Sequence, residues 1–591
     1  MHDMLATSHF GTTTMPSTIK TDIAVIGAGP AGSTCGAFLR KYSPDLKVSI
    51  FERETFPREH VGESQLPLIG QILNEIGAWE KVEAAGFPIK IGATYRWGKT
   101  NDLWDFHFLS DGVFKDEPRP GKYEGQRTGT AFQVDRAVYD KILADHAESL
   151  GCEIQYDVSV REIERNGDRV EGITLSDGTR VEASAYVDAS GHSGILRRAM
   201  GVKVEEPSRL RNVAFWDYWQ NAEWAVSIGI GGTRVQVMSV GYGWLWFIPL
   251  SPTRTSVGLV CPADYYKQSG RTAEELYRQA IQDEPRIREL VKHATREDKF
   301  TTTKDWSFVS ERMTGRNWYL VGESMGFADP VLAAGLTLTH VSARECAFSI
   351  LEARKTTATE KDRKWLREEY ERRNRRRIFQ HIRFADYWYS ANANFTELKE
   401  FTREIAKDAG LELDANQAFQ WLGTGGFIEE DIGTGGFGTV GMVALLQIAN
   451  RLSQNPANVE MHGTNTYKLT LNGAKEVKVG VYTNGGVKSL PALQRDGKFL
   501  PLYGLLGLVV EAIKKYPQYE PMIAYLDHRL KNSSAGYGDA ARLHIFGCLE
   551  AMARDGWMTC HRSNMAAPRT FIIPEDTPAI ARNRDPERKE D

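Results

Sequence analysis

Cysteine is scarce in this 591-residue chain: six residues (Cys35, Cys152, Cys261, Cys346, Cys548 and Cys560), with no CxxC pair and no ligand-like spacing. That excludes a disulfide scaffold, argues against zinc or iron–sulfur chemistry, and suits a reducing compartment. Long hydrophobic runs are missing too. No stretch reaches the ~18 apolar residues of a membrane span, and the first twenty residues lack the basic and apolar segments of a secretion signal. Net charge is nearly absent, -4 with 25% charged residues, so no global field favours nucleic acid or an anionic membrane. These absences predict a cytoplasmic protein with no metal, no nucleic-acid partner and no membrane partner. The local exception is RRNRRR (Arg372 to Arg377), which follows a mixed-charge helical stretch. It reads as a solvated helix face, with a docking or polyanion patch as the alternative.

What is present begins with TDIAVIGAGPAGSTCGAFLRKYSPDLKVSIFE. A buried strand (Ile23 to Ile26) runs into Gly27-Ala28-Gly29-Pro30-Ala31-Gly32, then a helix to about Lys41, then a second strand ending in Glu52. In a βαβ dinucleotide fold Gly27 makes the tight turn, Gly29 lets the backbone approach a pyrophosphate, and Gly32 lets helix and strand pack closely. The helix N-terminus offers free N–H groups to the phosphates, and Glu52 sits where an acid holds ribose hydroxyls. A second match, Gly433 to Gly438, follows FIEEDI rather than a buried strand and has no acid-ended strand after it, so it reads as a mobile glycine loop. The chain is therefore not expected to reduce its own cofactor from a second bound nucleotide.

Further on, FQVDRAVYDKIL reads as a helix, hairpins are expected at Asn166-Gly167 and Asp177-Gly178, and AYVDASG reads as a buried strand. Residues 205 to 265 alternate as strands rich in tryptophan and tyrosine, the natural floor of a cavity. RNWYLVGESMGFADPVLAAG reads as a strand, a Gly-Glu turn and a helix beginning beyond Pro330. After about residue 355 long helices dominate, with a strand pair near 467 to 484 and more helix over 503 to 556. The aromatic segment FQHIRFADYWY (Phe379 to Tyr389) has core-like spacing and is also a candidate lining for a phenolic ring.

The run GWLWFIPL (Gly243 to Leu250) places Trp244 and Trp246 on one strand face, Leu245 and Phe247 on the other, with Pro249 ending the strand or marking an edge. Taken with the fingerprint, Arg136, VDASG and GESMGFADPVLAAG, it resembles the FAD-dependent aromatic hydroxylase superfamily, and GWLWFIP is similar to the signature of its flavin-dependent halogenases. FPREHVGESQLP (Phe56 to Pro67) and KIGATYRWG (Lys90 to Gly98) resemble that family's flavin-strap and catalytic-lysine segments. The resemblance covers roughly residues 20 to 355 and, more loosely, the last third, and is closest to phenol and carrier-protein-type halogenases.

It implies an α/β fold: a Rossmann-like FAD-binding core over 21–355 with a β-sheet substrate region (about 85–130 and 205–300), a mostly helical appended domain over 356–575, and disordered ends at 1–20 and 576–591. It implies FADH2 from a separate flavin reductase, oxygen, and chloride or bromide, giving hypohalous acid that reaches Lys90. Trp244 and Trp246 become a steric wall that stops an aromatic substrate from reaching the flavin. Cofactor contacts fall to Gly27, Ala28, Gly29, Ala31, Gly32, Glu52, Arg53, Arg58, Arg136, Gly322, Glu323, Pro330 and Gly335; Glu323 stands where relatives carry Asp. The halide site maps onto Ala334 and Gly335, where relatives carry Ser or Thr before Gly, and main-chain N–H groups remain as donors. Strand alternation alone groups Lys90 with Gly92, Thr94 and Arg96 on an exposed face; the resemblance instead makes it the catalytic amine. A halogenase acting on an electron-rich, phenolic or carrier-tethered substrate is the leading expectation. A flavin monooxygenase or reductase is the alternative, and a flavin-bound scaffold or nucleic-acid binder the non-catalytic one.

Overall fold

The computed structural model describes residues 17–109, 114–225, 232–409, 448, 451–452, 459–531, 539–563 and 580–582. The glycine repeat at 433–438 and most of both chain ends lie outside the described residues. A seven-stranded sheet carries the fingerprint. Its centre is the strand Thr18–Ile26, parallel to Val48–Phe51 on one side and to Arg180–Asp188 on the other, with Trp318–Leu320 also parallel to the latter. Ile23, Ala24 and Val25 are fully buried because the helix Pro30–Tyr42 covers them, which is why this strand reads as a continuous apolar run. Hairpins close at Gly167 (φ +58°) and Gly178 (φ +87°), left-handed positions that favour glycine.

The second sheet has ten strands. Its path runs through Arg211–Gln220, Arg254–Pro262, Gly243–Pro249 and Gly232–Val240 to Ile89–Arg96 and Leu103–His107. The Trp-containing strand is thus interior, and Pro249 ends it without making an edge. Its two faces feed two cores: Trp244, Trp246 and Ile248 pack with aromatics of the long helix Glu360–Ser390, whereas Leu245 and Phe247 pack under the helix Ala273–Asp283.

The long helix spans 31 residues and crosses both regions. Its arginine run is neither a solvated face nor a polyanion patch. Arg373 and Arg377 both reach the buried Glu345 at 2.8 Å, Arg372 pairs with Glu369 at 2.8 Å, Arg375 with Glu205 at 3.0 Å, and Arg376 lies over Phe499. Burial opposes ionisation of Glu345, but the guanidinium groups of Arg373 and Arg377 outweigh it and hold the carboxyl below the usual carboxylate range. Apart from Arg372–Glu369 within the helix, these are ion pairs to other elements. Residues 466–501 add short strands, a two-stranded pair with Met558–His561 and a three-stranded sheet, beside the helices Gly504–Lys515 and Asp539–Arg554. Among the described residues no helix is long and apolar enough to cross a membrane, and no group of three or more His, Cys, Asp or Glu is placed to hold a metal.

Candidate active site

At the end of the strand Thr18–Ile26, Gly27 has φ +101°, and a Cβ there would lie 2.5 Å from the Ala189 carbonyl oxygen. A Cβ on Gly32 would lie 1.9 Å from the Gly27 oxygen, so both positions exclude side chains. At Gly29 the nearest atom to a would-be Cβ is Arg58 Nη2 at 3.2 Å, and this backbone lines a cavity of about 600 Å3. Glu52 accepts the Ala28 N–H at 2.7 Å and the Glu54 N–H at 3.0 Å. A carboxylate offers about four lone-pair sites, which leaves acceptors for ribose hydroxyls on the cavity side.

Arg58 stacks over Phe56, and its buried Nη1 lies 3.4 Å from Asp140 without a hydrogen bond. Its Nε also pairs with Glu54 at 3.6 Å, and its Nη2 faces Gly29, so these ion pairs hold a positive charge beside the glycine cradle, where it suits a pyrophosphate. These residues fit a bound dinucleotide.

Arg136 donates to Asp140 from Nε (2.7 Å) and Nη2 (3.0 Å) and from Nη1 to the Val61 and Gly62 carbonyls (2.8 and 3.1 Å). It therefore fastens the segment Phe56–Glu63 to the core while lining the cavity. Arg53 is exposed at the cavity edge and pairs with Glu54. Glu323 accepts a hydrogen bond from His192 Nδ1 at 2.8 Å. Burial opposes its ionisation, but that bond and the charges of His192, His60 and Arg136 hold the carboxyl at about 2. Pro330 and Gly335 also line the cavity, whereas Gly322 (φ +61°) packs behind it, where a Cβ would press within 3.2 Å of Ala31.

Lys90 lines the same cavity and is only 2% exposed. Its Nζ donates to the Gln65 carbonyl at 2.9 Å and sits 5.3 Å from the Phe108 ring centre; burial alone lowers its pKa to about 7. The alternation argument fails here for a local reason. Thr233 pairs with Lys90 but Arg234 pairs with Gly92, so Ile91 is an extra residue, a β-bulge. The bulge shifts the alternation by one, and Lys90 lines the cavity with Ala93 and Tyr95, not beside Gly92, Thr94 and Arg96. Gly92 leaves no room for a substrate, since a Cβ on it would sit 1.9 Å from the Phe106 carbonyl oxygen. Thr94 is buried and donates to Asp105 at 2.7 Å.

Trp244 and Trp246 line the cavity too, their ring centres 6.1 Å apart, with Trp216 6.4 Å from Trp246. One strand separates them from the Lys90 strand, which is about 10 Å at ordinary strand spacing. The turn Pro330–Leu332 ends at Ala333 with φ +53°, a left-handed conformation that is unusual for a non-glycine residue. Ala334 then caps the helix Gly335–Ala353 with no side-chain hydrogen bond and no acid in its first turn, so its leading N–H groups are not claimed by a side-chain cap.

Glu63 was not singled out from the sequence, although it lies in FPREHVGESQLP. It is buried, lines the cavity, and has no close hydrogen bond to either oxygen, although the Ser256 and Tyr218 hydroxyls face it. Burial pushes its pKa up to about 7.

The profile of the family described as "Tryptophan halogenase" matches residues 22–115 and 114–404. The chain belongs to that family. Among curated relatives, the halogenase is 30% identical over 414 residues to the 1H-pyrrole-2-carbonyl-[peptidyl-carrier protein] chlorinase of Pseudomonas fluorescens, covering 68% of this chain and 88% of that one. It is 33% identical over 349 residues to the tryptophan 2-halogenase of Chondromyces crocatus, covering 57% and 62% respectively. Among solved structures, the myxobacterial chondrochloren halogenase CndH superposes with a TM-score of 0.56 at 29% identity, over 67% of this chain and 91% of that one. The flavin-dependent halogenase CmlS shares the fold over 94% of this chain and 98% of its own, with a TM-score of 0.70 at 23% identity. The chain is thus an FADH2-dependent halogenase that uses oxygen and chloride or bromide.

Proposed function

We propose that Lys90 is the catalytic amine of this halogenase and that it acts on a neutral, electron-rich aromatic ring. The observation that carries this reading is the single cavity joining the glycine cradle to a buried amine. Bound reduced flavin supplies the two electrons with which oxygen and halide give hypohalous acid and water. The N-terminus of the helix Gly335–Ala353, with Ala334 and Gly335, suits the halide because its free N–H groups and dipole favour an anion. Trp244 and Trp246 admit the small oxidant and exclude the substrate. Lys90 then uses hypohalous acid in one of two ways: it polarises the acid by hydrogen bonding, or its neutral amine takes the halogen as a haloamine and releases water. Burial favours the second use by populating the neutral form near pH 7, and it makes the remaining ammonium a stronger hydrogen-bond donor for the first. Halogen transfer to the ring carbon displaces a proton, and Glu63 is the acceptor we assign, since it is buried in the lining of the same cavity as Lys90, where burial raises its carboxyl to about 7.

The walls around Lys90 are apolar and aromatic, including Tyr95, Phe106, Phe108 and Trp216. That lining suits an uncharged ring and offers little to a free amino acid's carboxylate and ammonium. The chlorinase relative is named for a carrier-bound pyrrole carbonyl, so a tethered substrate stands beside a free phenol. Reduced flavin is assigned to a separate reductase. Lys90→Ala tests the reading: halogenated product is expected to vanish while oxygen consumption and free hypohalous acid persist, and undiminished product would overturn it. Assaying free phenols against the same acyl groups on a carrier, with bromide, separates the two substrate forms. Product whose mass is independent of bromide would point to hydroxylation.

A further inference from the structure

The two indoles of the wall are held differently. Trp246 Nε1 donates to Ser256 Oγ at 3.0 Å, a partner on the adjacent strand of the same sheet. Trp244 Nε1 instead donates at 2.7 Å to the Tyr389 hydroxyl, which comes from the long helix. That hydroxyl also accepts from Asn212 Nδ2 at 3.2 Å and donates to Asp329 Oδ1 at 3.4 Å. With two bonds accepted and one given, a phenol oxygen is saturated and its direction is fixed. Asp329 accepts from Asn212 through Oδ2 at 3.2 Å and from the Val331 N–H through Oδ1 at 2.9 Å. It thereby caps the turn that leads into Ala333 and the helix N-terminus.

We infer that Tyr389 is a positioning residue for halogenation: its hydroxyl, fixed by Asp329 and Asn212, locks the Trp244 indole across the passage and joins that wall to the turn at Pro330–Gly335. Packing alone does not require the hydroxyl, because the Tyr389 ring already lies against Trp97 and Phe395, each 5.8 Å away between centres, and phenylalanine keeps those contacts. The oxygen adds a link between four elements, the long helix, the strands carrying Trp244 and Asn212, and the turn. Loss of the link frees the indole to swing, which widens the passage and lets oxidant escape before it reaches the amine. The inference rests on the reading of Lys90 as the receiver of that oxidant.

The test compares wild type, Tyr389→Phe, Trp244→Phe, the double variant and Lys90→Ala, each with a flavin reductase and bromide. It follows product formed, oxygen consumed, free hypobromous acid trapped by an added acceptor, FAD binding and thermal melting. Tyr389→Phe is expected to bind FAD and lose about fivefold in product per oxygen, the factor that one net hydrogen bond corresponds to, with trapped oxidant rising in step. The double variant is expected to be no worse than Trp244→Phe, since both cut one link. A lowered melting temperature with product per oxygen unchanged would assign Tyr389 a merely structural role and overturn the inference. If Tyr389→Phe does not fold, Trp244→Phe carries the same reading from the other end, and unchanged coupling there overturns it equally. Undiminished product from Lys90→Ala would sink the underlying reading instead, so the two failures are distinct.

Discussion

Replacing Lys90 by methionine removes a buried amine while keeping an unbranched chain, and the stability consequence has a definite sign. Lys90 titrates at about 7 in the fold against 10.5 for an unperturbed lysine, through burial alone. Between those values the unfolded chain holds a proton that the native chain lacks, so wild-type stability rises with pH by about 1.4 kcal/mol per unit. Below about pH 7 both states are protonated and the full penalty is present, roughly 5 kcal/mol; at pH 7 it is about 4 kcal/mol, and it fades towards pH 10.5. Methionine escapes that penalty but leaves the Gln65 carbonyl without its donor, which costs about 1 kcal/mol at every pH. Lys90→Met should therefore be about 3 kcal/mol more stable than wild type at pH 7, with the advantage gone near pH 10. Urea unfolding of both proteins without flavin, followed by tryptophan fluorescence across this range, measures the difference directly. A variant that is no more stable at pH 7, or a difference that does not change with pH, would refute the argument from burial. A destabilising amine kept in a fold is a sign of function.

Gly92→Ala forces a Cβ against the Phe106 carbonyl, so the bulge must open and the amine is re-aimed; product formation should fall on the order of 100-fold. Flavin fluorescence should show FAD still bound, and full activity would remove the bulge from the account. Arg58→Met deletes the guanidinium beside the glycine cradle and should weaken FAD about tenfold in equilibrium dialysis. His192 should titrate above its ordinary 6.5 because of the hydrogen bond to Glu323, as read by NMR of its ring. The sign follows: the pair stabilises the fold at low pH and that contribution is lost as pH rises through the raised His192 pKa. Glu323→Gln should return the midpoint to the ordinary range; an unshifted midpoint in the wild type would exclude the pair.

Much of the fold was legible because local chemistry is strict where it mattered. Gly27 and Gly32 have no sterically tolerable replacement, so their spacing in the chain carries the turn and the helix contact. Trp244 and Trp246 follow plain alternation on a regular strand, and their shared face is what a period of two dictates. Lys90 defied that period because the bulge at Ile91 depends on pairing with residues 233 and 234, about 140 positions away. The arginine run misled for a related reason: its partners Glu345 and Glu205 come from other elements, and spacing within one helix is blind to them. Tyr389 lay within an aromatic segment already marked as core or pocket lining, but nothing local distinguishes a phenol that only packs from one that accepts an indole N–H. Glu63 had no periodic signal at all; its burial is set by the way its segment pairs with Phe132 to Val134.

The extra residue at Ile91 makes chemistry a matter of odd and even. Inserting one residue between Thr233 and Arg234 would give Ile91 a partner, restore plain alternation and turn the amine towards the opposite side of the sheet, while the pairing from Gly92 onward stays in register. Gain or loss of the reaction could then turn on a single codon, with the scaffold hardly disturbed.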